Sequence, residues 1–161
     1  MKEKIYLIPV VYPEFKKSAE NTIDITEYNI KSNTLKKLQN PRRSRIWGVK
    51  EGNQNKHFYQ KMDKGDVLLF YNRDEYVYSG EVGVKFENQE ISRHYWDGIS
   101  ANLLYSINDF QSLELPKEVI NQACEYKEHY QPQSLSIVDT QPQWKLEQKY
   151  GSITDLLSNY R

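Results

Sequence analysis

The chain opens with a near-continuous apolar run from Ile5 to Val11, which fits a buried strand. Pro9 lacks a backbone N–H, so it marks a bulge or the point where pairing stops. The segment from Tyr12 to Asn40 has weak periodicity. A short helix is expected there at Thr34–Leu38, stopping before Pro41. Ser44–Val49 reads as a short strand, and Gly52 with Asn53 supplies a turn and a cap for a helix over Asn55–Met62. In that helix Phe58 and Met62 share a face at i and i+4, and Lys64-Gly65 ends it. Asp66–Tyr71 is a second apolar strand, followed by a hairpin turn at Asn72–Asp74 and a long strand over Tyr76–Phe86. Val82, Val84 and Phe86 alternate inward, and Gly80 and Gly83 suggest bulges or tight curvature.

Beyond it the pattern predicts a short helix at Gln89–Trp96 and a strand at Asn102–Phe110. A helix follows over Pro116–Cys124, with Pro at its start and Val119, Ile120 and Ala123 inside. Ser134–Val138 forms a last strand, and Trp144–Tyr160 one or two helices broken at Gly151. Trp144 is expected to dock the C-terminal helix. Short strands alternating irregularly with short helices give an α+β fold around a curved sheet or small β-barrel flanked by those helices. The absence of G-x-G-x-x-G and of a P-loop argues against a doubly wound nucleotide-binding sheet. The expected division is a domain over residues 1–140 and a C-terminal helical extension over 141–161, a possible linker to a further domain.

Composition narrows the function. Among 161 residues, 22 basic and 22 acidic side chains balance, which excludes a globally basic nucleic-acid coat but leaves room for a local basic face. Arg42, Arg43 and Arg45, followed by Lys50 and Lys56, are its densest part. No apolar run approaches the roughly 20 residues of a membrane span, and no signal peptide is recognised, so a cytoplasmic location is expected, with no membrane partner. Thirteen tyrosines and three tryptophans exceed the needs of a core, because a tyrosine keeps a polar tip. The single cysteine, Cys124, has no disulfide partner and reads as a small helix-packing residue. His57, His94 and His129 lie in ordinary polar settings without a nucleophile elbow or metal-ligand spacing. Glu-x-Lys occurs at Glu14–Lys16 and Glu125–Lys127, but off the predicted strands where a nuclease needs it. No catalytic residue, metal or cofactor is expected.

One ordered set of motifs goes further. Trp47-Gly48-Val49, an amide-rich segment, a helix ending Met62-x-x-Gly65-Asp66, a strand ending Phe70-Tyr71 and a Gly80-to-Val84 strand follow one another. This order resembles the EVE and YTH-like branch of the PUA superfamily, and in particular the N-terminal DNA-binding domains of McrB-type, modification-dependent restriction GTPases. The resemblance runs from about Lys4 to Val138 and is weakest between Pro13 and Arg43.

The resemblance implies a non-enzymatic module that flips a methylated base of DNA, 6-methyladenine or a methylated cytosine, into an aromatic cage. It would be the targeting part of a restriction system, with a GTPase or nuclease partner carrying the chemistry. Rings on either side of a flipped base supply about 1–3 kcal/mol of stacking per base. By motif, Trp47 is the first cage residue, the backbone of Gly48 and Val49 reads the base edge, and Trp96 or Tyr95 is the second wall. Tyr71 and Asn72 are placed at the rim, and Asn53 and Asn55 near a base edge or phosphate. Arg42, Arg43, Arg45, Lys50 and Lys56 are the expected phosphate contacts. Family first strands end in Lys-Ser and a polar residue, whereas this one ends Pro9-Val10-Val11-Tyr12. Tyr12 is therefore a candidate extra wall. The alternatives are a reader of methylated RNA and an RNA-processing enzyme of the ASCH branch.

Overall fold

The computed structural model describes residues 2–161. Six strands form one sheet in the order β2-β5-β4-β3-β1-β6. They are β1 Ile5–Pro9, β2 Ile46–Val49, β3 Val67–Asn72, β4 Glu75–Glu87, β5 Leu103–Pro116 and β6 Ser136–Ile137. The helices are α1 Ser32–Lys37, α2 Asn53–Lys61, α3 Gln89–Tyr95, α4 Lys117–Cys124, α5 Thr140–Tyr150 and α6 Ile153–Ser158. No helix among the described residues is long and apolar enough to cross a membrane. The chain divides into two compact units. One comprises the described residues up to Val10, Val67–Gly80 and Asp109–Arg161; the other comprises Val11–Asp66 and Glu81–Asn108. Strands β4 and β5 run through both.

In the first unit, β1 pairs in parallel with β3, from Ile5 opposite Val67 to Pro9 opposite Tyr71, and antiparallel with β6. The β1–β3 register ends at Pro9, as expected, and Val10 N adds one more bond to Tyr71 O at 2.9 Å. The turn from β3 into β4 places Arg73 and Asp74 at φ 49° and 71°. Two consecutive left-handed residues match the right-handed twist of the strands they join. Lys117 Nζ lies 2.7 Å from Asp74 Oδ1 and holds that carboxyl below its ordinary range.

Strand β5 extends six residues past its predicted end at Phe110. Leu113 and Leu115 are buried and Ser112 and Glu114 exposed, a period of two that the polar letters of Gln-Ser-Leu-Glu disguise. Asp109, at φ 50°, is a left-handed residue within the strand, at the first position of the stretch Asp109–Arg161 assigned to the first unit.

The core of this unit joins Leu7, Leu69 and Leu115 to Ile120 of α4, Leu146 of α5 and Leu156 of α6. The C-terminal helices thus contribute directly to the first unit's core. The expectation for Trp144 is corrected: it is 52% exposed. The buried line of α5 is Gln143 and Leu146, and a side chain one position on from Gln143 points about 100° away. Gln143 takes the docking position by donating to Glu3 O at 2.9 Å.

Cys124 is buried in α4, and desolvation pushes its thiol up to about 12. Since the thiolate is the reactive form, native protein at pH near 8 is expected to resist alkylation by iodoacetamide. Labelling in denaturant, compared by intact mass, is the check; rapid native labelling would show that α4 opens locally.

In the second unit, β2 pairs antiparallel with β5, with Trp47 opposite Tyr105 and Gly48 opposite Leu104. Helix α2 buries Tyr59, and Met62 just past its end is buried too, while Phe58 is only half-buried, so the helix turns Tyr59 inward where Phe58 was expected. Tyr59 wins because it offers ring and hydroxyl together. Its phenol donates to Leu104 O at 2.7 Å, and burial raises its pKa. His57 is exposed on the same helix. Gly83 is required by space: a Cβ there would collide with Ser106 Oγ, which already accepts from Val84 N at 2.8 Å.

Candidate nucleic-acid interface

Trp47 is set by β2, whose four residues are mostly buried. Phe15 lies edge-on to it, with centroids 5.0 Å apart and planes at 75°, and Trp96 meets it at 5.1 Å and 65°. Tyr12 continues the series beyond Phe15 at 6.3 Å and 77°. Four rings from three segments therefore form one edge-to-face run. Trp47 and Trp96 are 6% and 2% exposed, whereas Tyr12 is 41% exposed, so the run reaches the surface at Tyr12.

Trp96 is the residue at which α3 ends, after a start capped by Asn88 Oδ1 accepting from Ile91 N. Its indole N–H donates to Ser18 Oγ at 2.9 Å, and Ser18 donates to Ile46 O at 2.7 Å. Each buried polar group is matched, as burial requires. Ser18 sits in a π-helical turn, Lys16–Glu20. Arg45 supports that turn by donating from Nη1 to the carbonyls of Ala19 and Glu20.

Gly48 is where the indole comes nearest the backbone. A Cβ on it would lie 2.8 Å from Leu104 Cδ2 and 2.9 Å from Trp96 Cζ3. Behind Trp96 lies a hollow of about 370 Å³, lined in part by Glu51, Ser92, Arg93 and Asn102. Ser100 Oγ donates to Glu51 there at 3.0 Å.

The expected base-binding residues separate into groups. Trp47, Gly48 and Trp96 come together, with Tyr12 at the end of their aromatic run. Val49 is buried in β2, and Tyr95 is half-buried and stacked on His94 at 4.6 Å. Asn53 is exposed at the start of α2, and Asn55 Nδ2 donates to Lys50 O at 3.1 Å. Tyr71 and Asn72 belong to the first unit and are engaged there. The Tyr71 hydroxyl donates to Gln131 Oε1 and accepts from Asp74 N, and Asn72 Nδ2 donates to Val10 O. Of the expected phosphate contacts, Arg42, Arg43, Lys50 and Lys56 are exposed, and Arg45 is half-buried.

Two participants escaped sequence reasoning, Phe15 and Ser18. Their signal was present: Phe15, Ser18 and Ala19 fall at i, i+3 and i+4 and are all buried, the spacing of one helical face.

The rings are assembled, but closed. A flat base between two walls needs near-parallel rings about 7 Å apart, twice the usual carbon–carbon contact. Trp47 and Trp96 touch edge to face instead, and Phe15 also packs edge-on against Trp47.

No protein-family model matches this chain, and no curated protein matches it in sequence. Solved structures do. The N-terminal domain of Thermococcus gammatolerans McrB, solved bound to m5C DNA, aligns over 98% of both chains with a TM-score of 0.66 at 18% identity. The chain has the PUA-like fold of that McrB domain. A mutant of the Zymomonas mobilis ASCH protein aligns over 99% of this chain and 98% of its own, with a TM-score of 0.51 at 10% identity. Within this fold, the α+β class expected from sequence is the one observed.

Proposed function

We propose that this chain is a DNA reader that takes a flipped, methylated base against Trp47. The observation that carries the proposal is the aromatic run itself. Trp47 and Trp96 stand together in the second unit, and the run emerges at the exposed Tyr12. The McrB domain of the same fold was solved on m5C DNA, which makes methylated cytosine the first ligand to try and 6-methyladenine the second.

Trp47 is 6% exposed and packed against Phe15 and Trp96, so a base must displace a neighbour. A phenylalanine ring has no hydrogen bond to lose, whereas moving Trp96 breaks its bond to Ser18. The base therefore takes the place of Phe15, stacks on Trp47, and presents its edge to the backbone of Gly48 and Val49. Tyr12 closes over it from outside, and Arg42, Arg43, Lys50 and Lys56 hold the flanking phosphates. Unstacking a base costs a few kcal/mol, which stacking on rings and phosphate contacts offset. The module's place in a restriction system, with hydrolysis and cleavage carried by other segments or subunits, belongs to the same proposal.

The test is a panel of duplexes differing at one base: cytosine, 5-methylcytosine, adenine and 6-methyladenine, with methylated RNA as a separate arm. Burying one methyl group contributes about 0.8 kcal/mol, or about fourfold in affinity. One methylated duplex is expected to bind at least that much more tightly than its plain twin. Equal affinity across the panel overturns the proposal, and tightest binding to the RNA arm moves the function to RNA.

A further inference from the structure

The second unit carries an electrostatic feature that the aromatic run does not explain. From Tyr28 to Lys50 the chain places seven of its 22 basic residues and none of its 22 acidic ones. In a chain of zero net charge that is strong segregation. The stretch includes α1 and the 3-10 turn Pro41–Arg43, and it closes through the bridge between Ile23 and Ser44. Lys31, Lys36, Lys37, Arg42 and Arg43 are all exposed. None of the five makes an ion pair with a carboxylate among the described residues.

Helix α1 fully buries no side chain. An element that adds so little to a core while concentrating charge is poorly accounted for by stability, since like charges repel and hold the chain open. Arg45 is the exception, tied into the turn before β2 by its bonds to Ala19 O and Glu20 O. It anchors the base of this arm, and the other five side chains remain available.

We infer that the Tyr28–Arg43 excursion is a phosphate-tracking arm that lies along the backbone of duplex DNA, through Lys31, Lys36 and Lys37 as well as Arg42 and Arg43. The inference rests on the DNA reading above and not on the methyl preference. Duplex DNA carries one charge per roughly 1.7 Å of its axis, so a spread row of flexible cations finds partners without needing a particular sequence. An anionic membrane is the other polyanion to weigh. Amphipathic membrane helices need an apolar face, but among the described residues the large exposed apolar ones are Val11, Tyr12, Tyr130 and Trp144, none of them in this arm. The arm supplies affinity and orientation, while the aromatic run supplies the choice of base.

The test compares the full chain with the fivefold variant Lys31→Gln, Lys36→Gln, Lys37→Gln, Arg42→Gln, Arg43→Gln. Each is titrated with a methylated duplex and its plain twin between about 50 and 200 mM salt, the range over which counterion release is steep. All five positions are exposed, and circular dichroism confirms that the variant is folded. The slope of log affinity against log salt is expected to fall by about one unit for each residue in contact. Affinity near 100 mM salt should drop on the order of a hundredfold, alike for both duplexes. An unchanged slope in the folded variant overturns the inference, as does a loss confined to the methylated duplex. It is also overturned if wild-type chain binds phosphatidylserine vesicles through these residues while DNA binding is untouched by the variant. If wild-type chain shows no methyl preference yet the slope falls, the base reading fails and the arm stands.

Discussion

Replacing Trp47 with alanine is expected to abolish the preference for a methylated duplex while leaving a salt-dependent affinity for plain DNA. The indole is 6% exposed and touches the rings of Phe15 and Trp96. Its removal costs the transfer energy of the ring together with the cavity left behind, about 3–5 kcal/mol for a buried tryptophan. A loss of that size can unfold a domain of ordinary stability, since the total is only about 5–15 kcal/mol. Trp47→Phe separates the two effects, because it keeps a ring in the cluster and most of the buried area. Thermal melting ranks the variants by stability, and duplex titration ranks them by methyl preference. If Trp47→Phe folds and Trp47→Ala, examined well below its melting temperature, still prefers the methylated strand by the wild-type factor, Trp47 is core and nothing else.

Gly48→Ala tests the same region from the backbone side. Gly48 does not have a positive φ, so the glycine is required by space. Leu104 can turn the end of its side chain away, but Trp96 is a rigid ring tied to Ser18. The added methyl must push the indole, and overpacking of this kind costs about 1–3 kcal/mol. The expected result is a lower melting temperature, a shifted tryptophan emission and a weakened methyl preference. Affinity for plain DNA should hold, because the exposed Arg42, Arg43, Lys50 and Lys56 proposed to hold phosphates are untouched. A wild-type melting curve and unchanged emission would show that Trp96 has room to move, which would remove the reason given for glycine at this position.

The aromatic cluster depends on a segment of weak periodicity. Tyr12–Glu20 has weak periodicity and falls where the family resemblance is thinnest, yet Phe15 and Ser18 seat both tryptophans. Their significance comes from partners far along the chain: Trp96 lies 78 positions from the serine it bonds. No window of sequence contains such a pair.

Strand and helix positions, by contrast, followed from local period. The parallel pairing of Ile5–Pro9 with Val67–Tyr71 joins the two most continuously apolar runs, as fits strands buried on both faces. The break at Gly151, at φ 90°, was set by backbone chemistry that a single residue carries, and the inward placement of Ile120 and Ala123 by helical spacing. The prediction failed where polar letters masked alternation, in Ser112–Leu115, and where a ring lay off the docking line, at Trp144. There the hydrophobicity of one residue was outweighed by the angle at which its helix presents it.

The sequence by itself determined the α+β class and the strand and helix periods, because periodicity is a local property of the chain, while Trp47, Gly48, Val49 and Trp96 or Tyr95 came forward as candidates only through the family resemblance. Only the tertiary structure decided that Trp47 and Trp96 meet edge to face with Phe15 packed beside Trp47, and that Arg45 anchors a turn. Ring geometry and hydrogen-bond partners are fixed by contacts between segments distant in sequence.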